Sequence, residues 1–227
     1  MFGGYGAIGH AVAGGLVGHG FEVLRSSRST ETPEPGHVHL DPFDDSQSGL
    51  RALDGLPSLG AVVWAQGANL ADSVDVFDLA SFEEVLRANC TFVAVTMAAL
   101  LERGLLSDGA RLCVVSSIWE NVARQQKLSY TVSKAALGGL VRSAAVDLAP
   151  RRILVNAVLP GVVDTPMTTS MLTPAQVAGV AGATGFDRLV SVDDVAALVC
   201  HLCSPANTGV TGQSITVDLG FTVARRV

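Results

Sequence analysis

Short apolar runs alternate with longer stretches of helical periodicity from one end of the chain to the other. The apolar runs Glu22–Leu24, His37–Leu40, Ala61–Ala65, Arg111–Ser116, Ile153–Val158 and Ser214–Val217 read as strands. Helical patterns fall between them. Two open on capping-box signatures, Ser81 with Glu84 and Ser191 with Asp194, in which a hydroxyl and a carboxylate satisfy each other's backbone amides. The helix containing Tyr130 is expected to stop at Ala149-Pro150, since proline cannot continue the hydrogen-bond ladder. Strand–helix alternation of this kind predicts βαβ units, and so an α/β fold with a Rossmann-like, doubly wound parallel sheet. No internal repeat, low-complexity segment or linker interrupts the pattern, so residues 1–227 are expected to form a single domain.

Composition narrows the function. Of 227 residues, 48% are apolar, 16% charged and only 5% aromatic. Small aliphatic side chains of this kind let helices pack closely on a sheet. The net charge of −6, with lysine and arginine scattered, gives no footprint for nucleic acid. No apolar stretch approaches the roughly 18 uncharged residues of a membrane span. The opening Met1–Gly20 lacks the basic start of a signal peptide, so a cytoplasmic protein with reduced thiols at Cys90, Cys113, Cys200 and Cys203 is expected. Cys200-His201-Leu202-Cys203 spells a C-x-x-C, but it continues the apolar run Val195–Val199 and has no second ligand pair. Buried core thiols are the better reading than a redox or zinc site.

Gly4-x-Gly6-x-x-Gly9 fits the glycine pattern of a dinucleotide-binding turn. The glycines there allow a tight turn and a close approach of backbone to pyrophosphate, with the helix N-terminus facing the phosphates. The helix-like Ile8–Val17, a turn at Gly20 and the following strand supply the expected context. Only Met1-Phe2 precede the loop, so a first strand is either lacking or encoded upstream. Where an acid would bind the ribose 2′-hydroxyl, the chain reads Arg25-Ser26-Ser27-Arg28. Arginine grips a 2′-phosphate where a carboxylate would repel it, so Ser27 and Arg28 point to NADP(H), with NAD(H) as the alternative cofactor. The competing reading makes these arginines solvated loop charges.

Tyr130-Thr131-Val132-Ser133-Lys134 sets a phenol and an amine four residues apart, on one face of a predicted helix. The chain contains only two tyrosines and two lysines, so the coincidence is informative. A free phenol, with pKa about 10, transfers protons poorly at neutral pH, and a nearby ammonium favours its phenolate. Ser117, ending the apolar strand 13 residues upstream, can hold a carbonyl oxygen. The bland alternative is a surface pair on an amphipathic helix.

With these residues in place, the chain resembles the short-chain dehydrogenase/reductase family, in its compact β-ketoacyl-reductase-like branch, from Gly3 to about Gly220. The resemblance implies a catalytic tetrad of Asn89, Ser117, Tyr130 and Lys134. Ser117 would bind the substrate carbonyl, Tyr130 would act as general acid/base, Lys134 would also hold the nicotinamide ribose, and Asn89 would anchor a relay water. It implies cofactor contacts along Gly3, Gly4, Gly6, Ala7, Ile8 and Gly9, then at Asp41-Pro42 beside the adenine and at Ala65 and Gly67. The segment Pro160, Gly161, Val163 and Thr165 would cover the nicotinamide, and Thr211-Gly212-Gln213 would lead into the last strand. The chain departs from the family pattern at Ala7, at Trp64-Ala65-Gln66-Gly67 (usually Asn-Asn-Ala-Gly) and at Leu219-Gly220.

The activity implied is interconversion of a ketone and a secondary alcohol. The partners implied are a small-molecule carbonyl or alcohol substrate and a second or further copies of the chain, in a homodimer or homotetramer joined through the Tyr130 helix and its predecessor. Ile118-Trp119-Glu120 and Met167–Thr184 should flank the pocket; an acyl thioester, a sugar derivative and a polyketide-like ketone all remain open. Two other readings stand beside this one: a non-catalytic nucleotide sensor or assembly protein on the same fold, and an epimerase or dehydratase, for which little chain is left after Thr165.

Overall fold

The structure, a computed structural model, describes residues 1–28, 36–44 and 49–224. Strands β1 (Arg25–Ser27), β2 (His37–His39), β3 (Leu59–Trp64), β4 (Leu106–Val115), β5 (Leu154–Pro160) and β6 (Ser214–Val217) are all parallel. They form two ladders, β2-β1 and β3-β4-β5-β6. Phe2 joins the ladders, bridging Ser26 on one side and Trp64 on the other. Its amide donates to Val63 O (2.9 Å), Ala65 N donates to its carbonyl (3.0 Å), and Ser26 N donates to Met1 O (2.8 Å). Toward the N-terminal ends of the strands, a cavity of about 250 Å³ opens beside it between Phe21, Leu53, Leu59 and Leu100.

Strand residues alternate between two cores, as a parallel sheet covered on both faces requires. Val62, Trp64, Leu112, Val114, Val155 and Leu159 face α3 (Phe92–Glu102) and α4 (Leu128–Asp147). Val63, Cys113, Val115 and Val158 face α1 (Ala7–Gly18) and α7 (Val192–Cys203). Cys200 and Cys203 are buried in this second core with free thiols, and burial pushes the Cys200 thiol up. Leu79–Glu102 is long and apolar enough to cross a membrane by length and composition, but it carries Val93, Met97 and Leu100 into the first core.

Two local expectations are corrected. The second strand runs Arg25–Ser27, not Glu22–Leu24, because its neighbour β2 starts pairing only at His37, opposite Arg25. The helix α2 (Leu79–Leu86) is capped by Asp78, whose carboxylate accepts from Ser81 N (2.8 Å), so Ser81 lies inside the first turn. The box at Ser191 and Asp194 forms as read. The Tyr130 helix ends at Asp147, and Pro150 sits in a 3-10 turn, Ala149–Arg151, that follows.

Candidate active site

The C-terminal strand ends gather the glycine loop, Ser27, Ala65, Ser117 and Pro160 at one edge of the sheet, where open α/β sheets bind ligands. Gly3 has φ +70°, and a Cβ there would lie 2.5 Å from Gln66 N, so only glycine lets the loop lie against the strand end of β3. A Cβ on Gly9 would collide with the Gly3 carbonyl oxygen. Gly9→Ala is therefore expected to force the loop off its path, lowering the melting temperature by roughly 5 °C, read by calorimetry. Gly6 caps α1 without any side-chain hydrogen bond, and the first turn through Ala7 and Ile8 holds no acid. The α1 amides thus face outward as an uncapped, positive helix end. Beside them, the buried Tyr5 Oη and Gln66 Oε1 have no hydrogen-bond partner among the described residues. Donor groups, an open glycine cradle and unmatched buried polar atoms together fit a dinucleotide pyrophosphate and its ribose.

At the end of β1, Ser27 Oγ and His37 Nε2 lie 2.9 Å apart, His37 meets the Tyr5 ring edge-on, and the Arg25 guanidinium stacks 4.7 Å over Tyr5. Exposed Arg28 follows directly. Sequence reading singled out Ser27 and Arg28; Arg25, Tyr5 and His37 it missed, because only the sheet register brings residues 25 and 37 together. The Asp41 carboxylate accepts from Phe43 N (3.1 Å), closing a turn that includes Pro42. Trp64, standing where the family has an amide, turns away from this edge. It is fully buried, stacks on Phe2 at 5.6 Å and donates from Nε1 to Thr96 Oγ1 (2.8 Å).

The four proposed catalytic residues converge. Asn89, 1% exposed, lies in a π turn, Arg87–Thr91, between α2 and α3. Its Nδ2 donates to Ala68 O (2.9 Å) and Ser133 Oγ (2.8 Å), and its Oδ1 accepts from Ala68 N (2.7 Å). Both amide hydrogens are thus spent on fastening the β3 loop to α4. Gly67 permits this approach, since a Cβ there would lie 2.9 Å from Asn89 Oδ1. Ser117 caps a 3-10 turn, Ile118–Glu120, its hydroxyl accepting from Trp119 N (3.4 Å) and lying near enough to the Tyr130 phenol to lower its pKa. Lys134, 4% exposed, donates to Val115 O (3.2 Å) and sets its Nζ 5.5 Å from the Tyr130 ring centre.

Electrostatics modify the expectation of a lowered phenol pKa. Burial raises the Tyr130 phenol above its ordinary value, and the Ser117 hydrogen bond offsets only part of that. Burial likewise lowers Lys134 to about 8, with the Glu120 carboxylate pulling it back up. Ser116 Oγ, adjacent to Ser117, is buried with no hydrogen-bond partner among the described residues. On the far rim, Pro160 ends β5, Gly161 packs on Asp218, Val163 bridges Val190, and Thr165 caps α5 (Pro166–Met171). Asn69 Nδ2 reaches Met171 Sδ at 3.6 Å, joining α5 to the opposite rim.

A family model described as enoyl-(acyl carrier protein) reductase matches residues 41–222. Among curated relatives, the glucose 1-dehydrogenase of Gluconobacter oxydans is 30% identical over 177 residues, 77% of this chain and 65% of that protein. The 3-oxoacyl-(acyl-carrier-protein) reductase of Aquifex aeolicus is 30% identical over 168 residues, 67% of each. The chain spans between about half and two thirds of the length of the first relatives it matches. A solved gluconate 5-dehydrogenase from Burkholderia cenocepacia, in complex with NADP and tartrate, superimposes with a TM-score of 0.88 over 99% of this chain and 94% of its own, at 20% identity, a likeness of fold. With a parallel α/β sheet and this edge in view, the chain belongs to the short-chain dehydrogenase/reductase family.

Proposed function

We propose that this protein is an NADP(H)-dependent oxidoreductase that interconverts a ketone and a secondary alcohol. Tyr130 is the general acid/base. The observation that carries this reading is the Lys134 ammonium 5.5 Å from the Tyr130 ring centre, with the Ser117 hydroxyl near enough to the phenol to lower its pKa. A nicotinamide dinucleotide, when bound, supplies or accepts the hydride at the substrate carbon. Gly3, Gly4, Gly6, Ala7, Ile8 and Gly9 would hold its pyrophosphate, and Ser27 and Arg28 its 2′-phosphate. Asp41, Pro42, Ala65 and Gly67 would line the adenosine side. Lys134 and Tyr130 would meet the nicotinamide ribose, while Pro160, Gly161, Val163 and Thr165 would cover the ring.

Ser117 fixes the carbonyl oxygen and Tyr130 Oη delivers a proton to it, leaving a phenolate beside the Lys134 ammonium. Because burial holds the phenol protonated at neutral pH, the proton needed for carbonyl reduction is already in place. Alcohol oxidation, which needs the phenolate, gains as pH rises. The reading of a nucleotide sensor leaves the Ser117–Tyr130–Lys134 arrangement without a use. A single domain, a cytoplasmic location and assembly through α4 and its predecessor accompany the proposal.

Titration of purified protein with NADPH and NADH, followed by nicotinamide fluorescence, tests the cofactor. We expect NADPH to bind at least about tenfold more tightly, and Arg28→Ala to remove most of that difference, since a charge-assisted hydrogen bond is worth roughly 1.5–3 kcal/mol. Equal affinities in the parent chain would contradict the assignment to NADP(H).

A further inference from the structure

The chain has two lysines, and both flank the same ring. Lys127, at the entrance to α4, exposes only 7% of its surface although it lies nearer the rim of the fold than Lys134. Its Nζ donates to Asn69 Oδ1 (2.7 Å) and Leu70 O (3.3 Å), and stands 5.8 Å from the Tyr130 ring centre. These two bonds tie α4 to the β3–α2 loop, but a neutral amide could make them. The positive charge is what they leave unexplained. No carboxylate forms an ion pair with Lys127 among the described residues; the nearby Asp72 carboxylate is committed to Ser129 N and Ser129 Oγ at the start of α4. Taking an ammonium out of water without such a pair is costly, so its charge calls for a use.

We propose that Lys127 is a positioning residue that acts through Tyr130, a second ammonium that together with Lys134 favours the phenolate formed when Tyr130 gives up its proton. This rests on the reading of Tyr130 as general acid/base. The charged groups facing the ring come from four directions. Lys134 approaches from within α4, and Glu120 from the 3-10 turn, where it acts on Lys134. Arg124 approaches from the segment before α4 and opposes the charge on Lys127, while Asp72 on the β3–α2 loop supports it. Burial lowers the Lys127 pKa, so its assistance fades at a lower pH than that of a free lysine. A unit charge about 6 Å away, in a partly screened setting, moves a phenol by on the order of one pK unit.

The chain's two tyrosines make a direct test available: Tyr5→Phe leaves Tyr130 as the only phenol. In that background, phenolate absorbance read after stopped-flow pH jumps, before unfolding, reports the native Tyr130 titration without reference to turnover. Lys127→Arg, whose guanidinium keeps its charge through the alkaline range, is expected to place the midpoint about one unit below that of Lys127→Gln, which keeps an amide donor for Asn69 but no charge. The rising limb of alcohol oxidation against pH should shift by the same amount. Equal midpoints in Lys127→Arg and Lys127→Gln overturn the proposal. Should Lys127→Gln melt too low to titrate, Lys127→Met is read in its place. A shifted titration together with full turnover in Tyr130→Phe would sink the catalytic reading while leaving the electrostatic one standing.

Discussion

Tyr130→Phe is expected to reduce turnover of an accepted ketone or alcohol by a factor of about 10²–10⁴, the usual worth of positioned proton transfer, while NADPH binding weakens by no more than about tenfold, the worth of one ribose hydrogen bond. The substitution removes one oxygen and leaves the ring between the two lysines, so packing is conserved. Ser117 Oγ still accepts from Trp119 N (3.4 Å) once the phenol oxygen is gone. Thermal stability should therefore move by no more than about 1 kcal/mol. Steady-state rates and cofactor fluorescence on the same preparation separate the outcomes: a variant retaining most of its turnover would remove Tyr130 from the mechanism, whatever its affinity for the nucleotide.

The largest loss of stability is expected at Trp64, far from any reacting atom. Trp64→Ala should cost about 3–5 kcal/mol, a fall in melting temperature of roughly 10 °C, because it opens a large void beside Phe2 in the first core. Trp64→Phe separates stacking from hydrogen bonding. It keeps a ring against Phe2 but gives up the bond to Thr96 Oγ1, a hydroxyl that still donates to Phe92 O (2.7 Å), together with the volume the smaller ring does not fill. A cost near 1 kcal/mol is expected there. Denaturant melts of the two variants are the check, and equal losses would mean that the hydrogen bond, not the stacked ring, secures this corner of the sheet.

The sequence carried much of this architecture because apolar periodicity and caps are local signals. The capping box at Ser191 and Asp194 was readable from four residues, and so was the helical spacing of Tyr130 and Lys134. Contacts set by register were not. Arg25 and His37 are twelve positions apart and become neighbours only through the β1–β2 pairing. Asp78 differs, being a local cap passed over for its neighbour: it stands in extended backbone itself and accepts from Ser81 N three residues on. Lys127 escaped notice since it ends a polar stretch, Arg124-Gln125-Gln126-Lys127, that reads as solvated loop. Its burial follows from Asn69 and Leu70, contributed by a distant connection. The raised Tyr130 pKa was misjudged for a related reason: spacing reveals a neighbouring ammonium but says nothing of desolvation, which dominates here.

The π turn at Arg87–Thr91 acts as a phase shifter. An α-helix advances about 100° per residue, so one extra residue within a turn rotates everything beyond it by that angle relative to everything before. Val85 is the buried residue of the α2 half, whereas Phe92, Val93, Met97 and Leu100 of the α3 half enter the first core. The two halves thus carry separate stripes that a continuous helix would merge. Asn89 sits at the junction, where its side chain reaches Ala68 and Ser133. Loss of a single residue from this turn would force a choice between the stripes, so the helix Leu79–Glu102 is constrained by length as well as by identity.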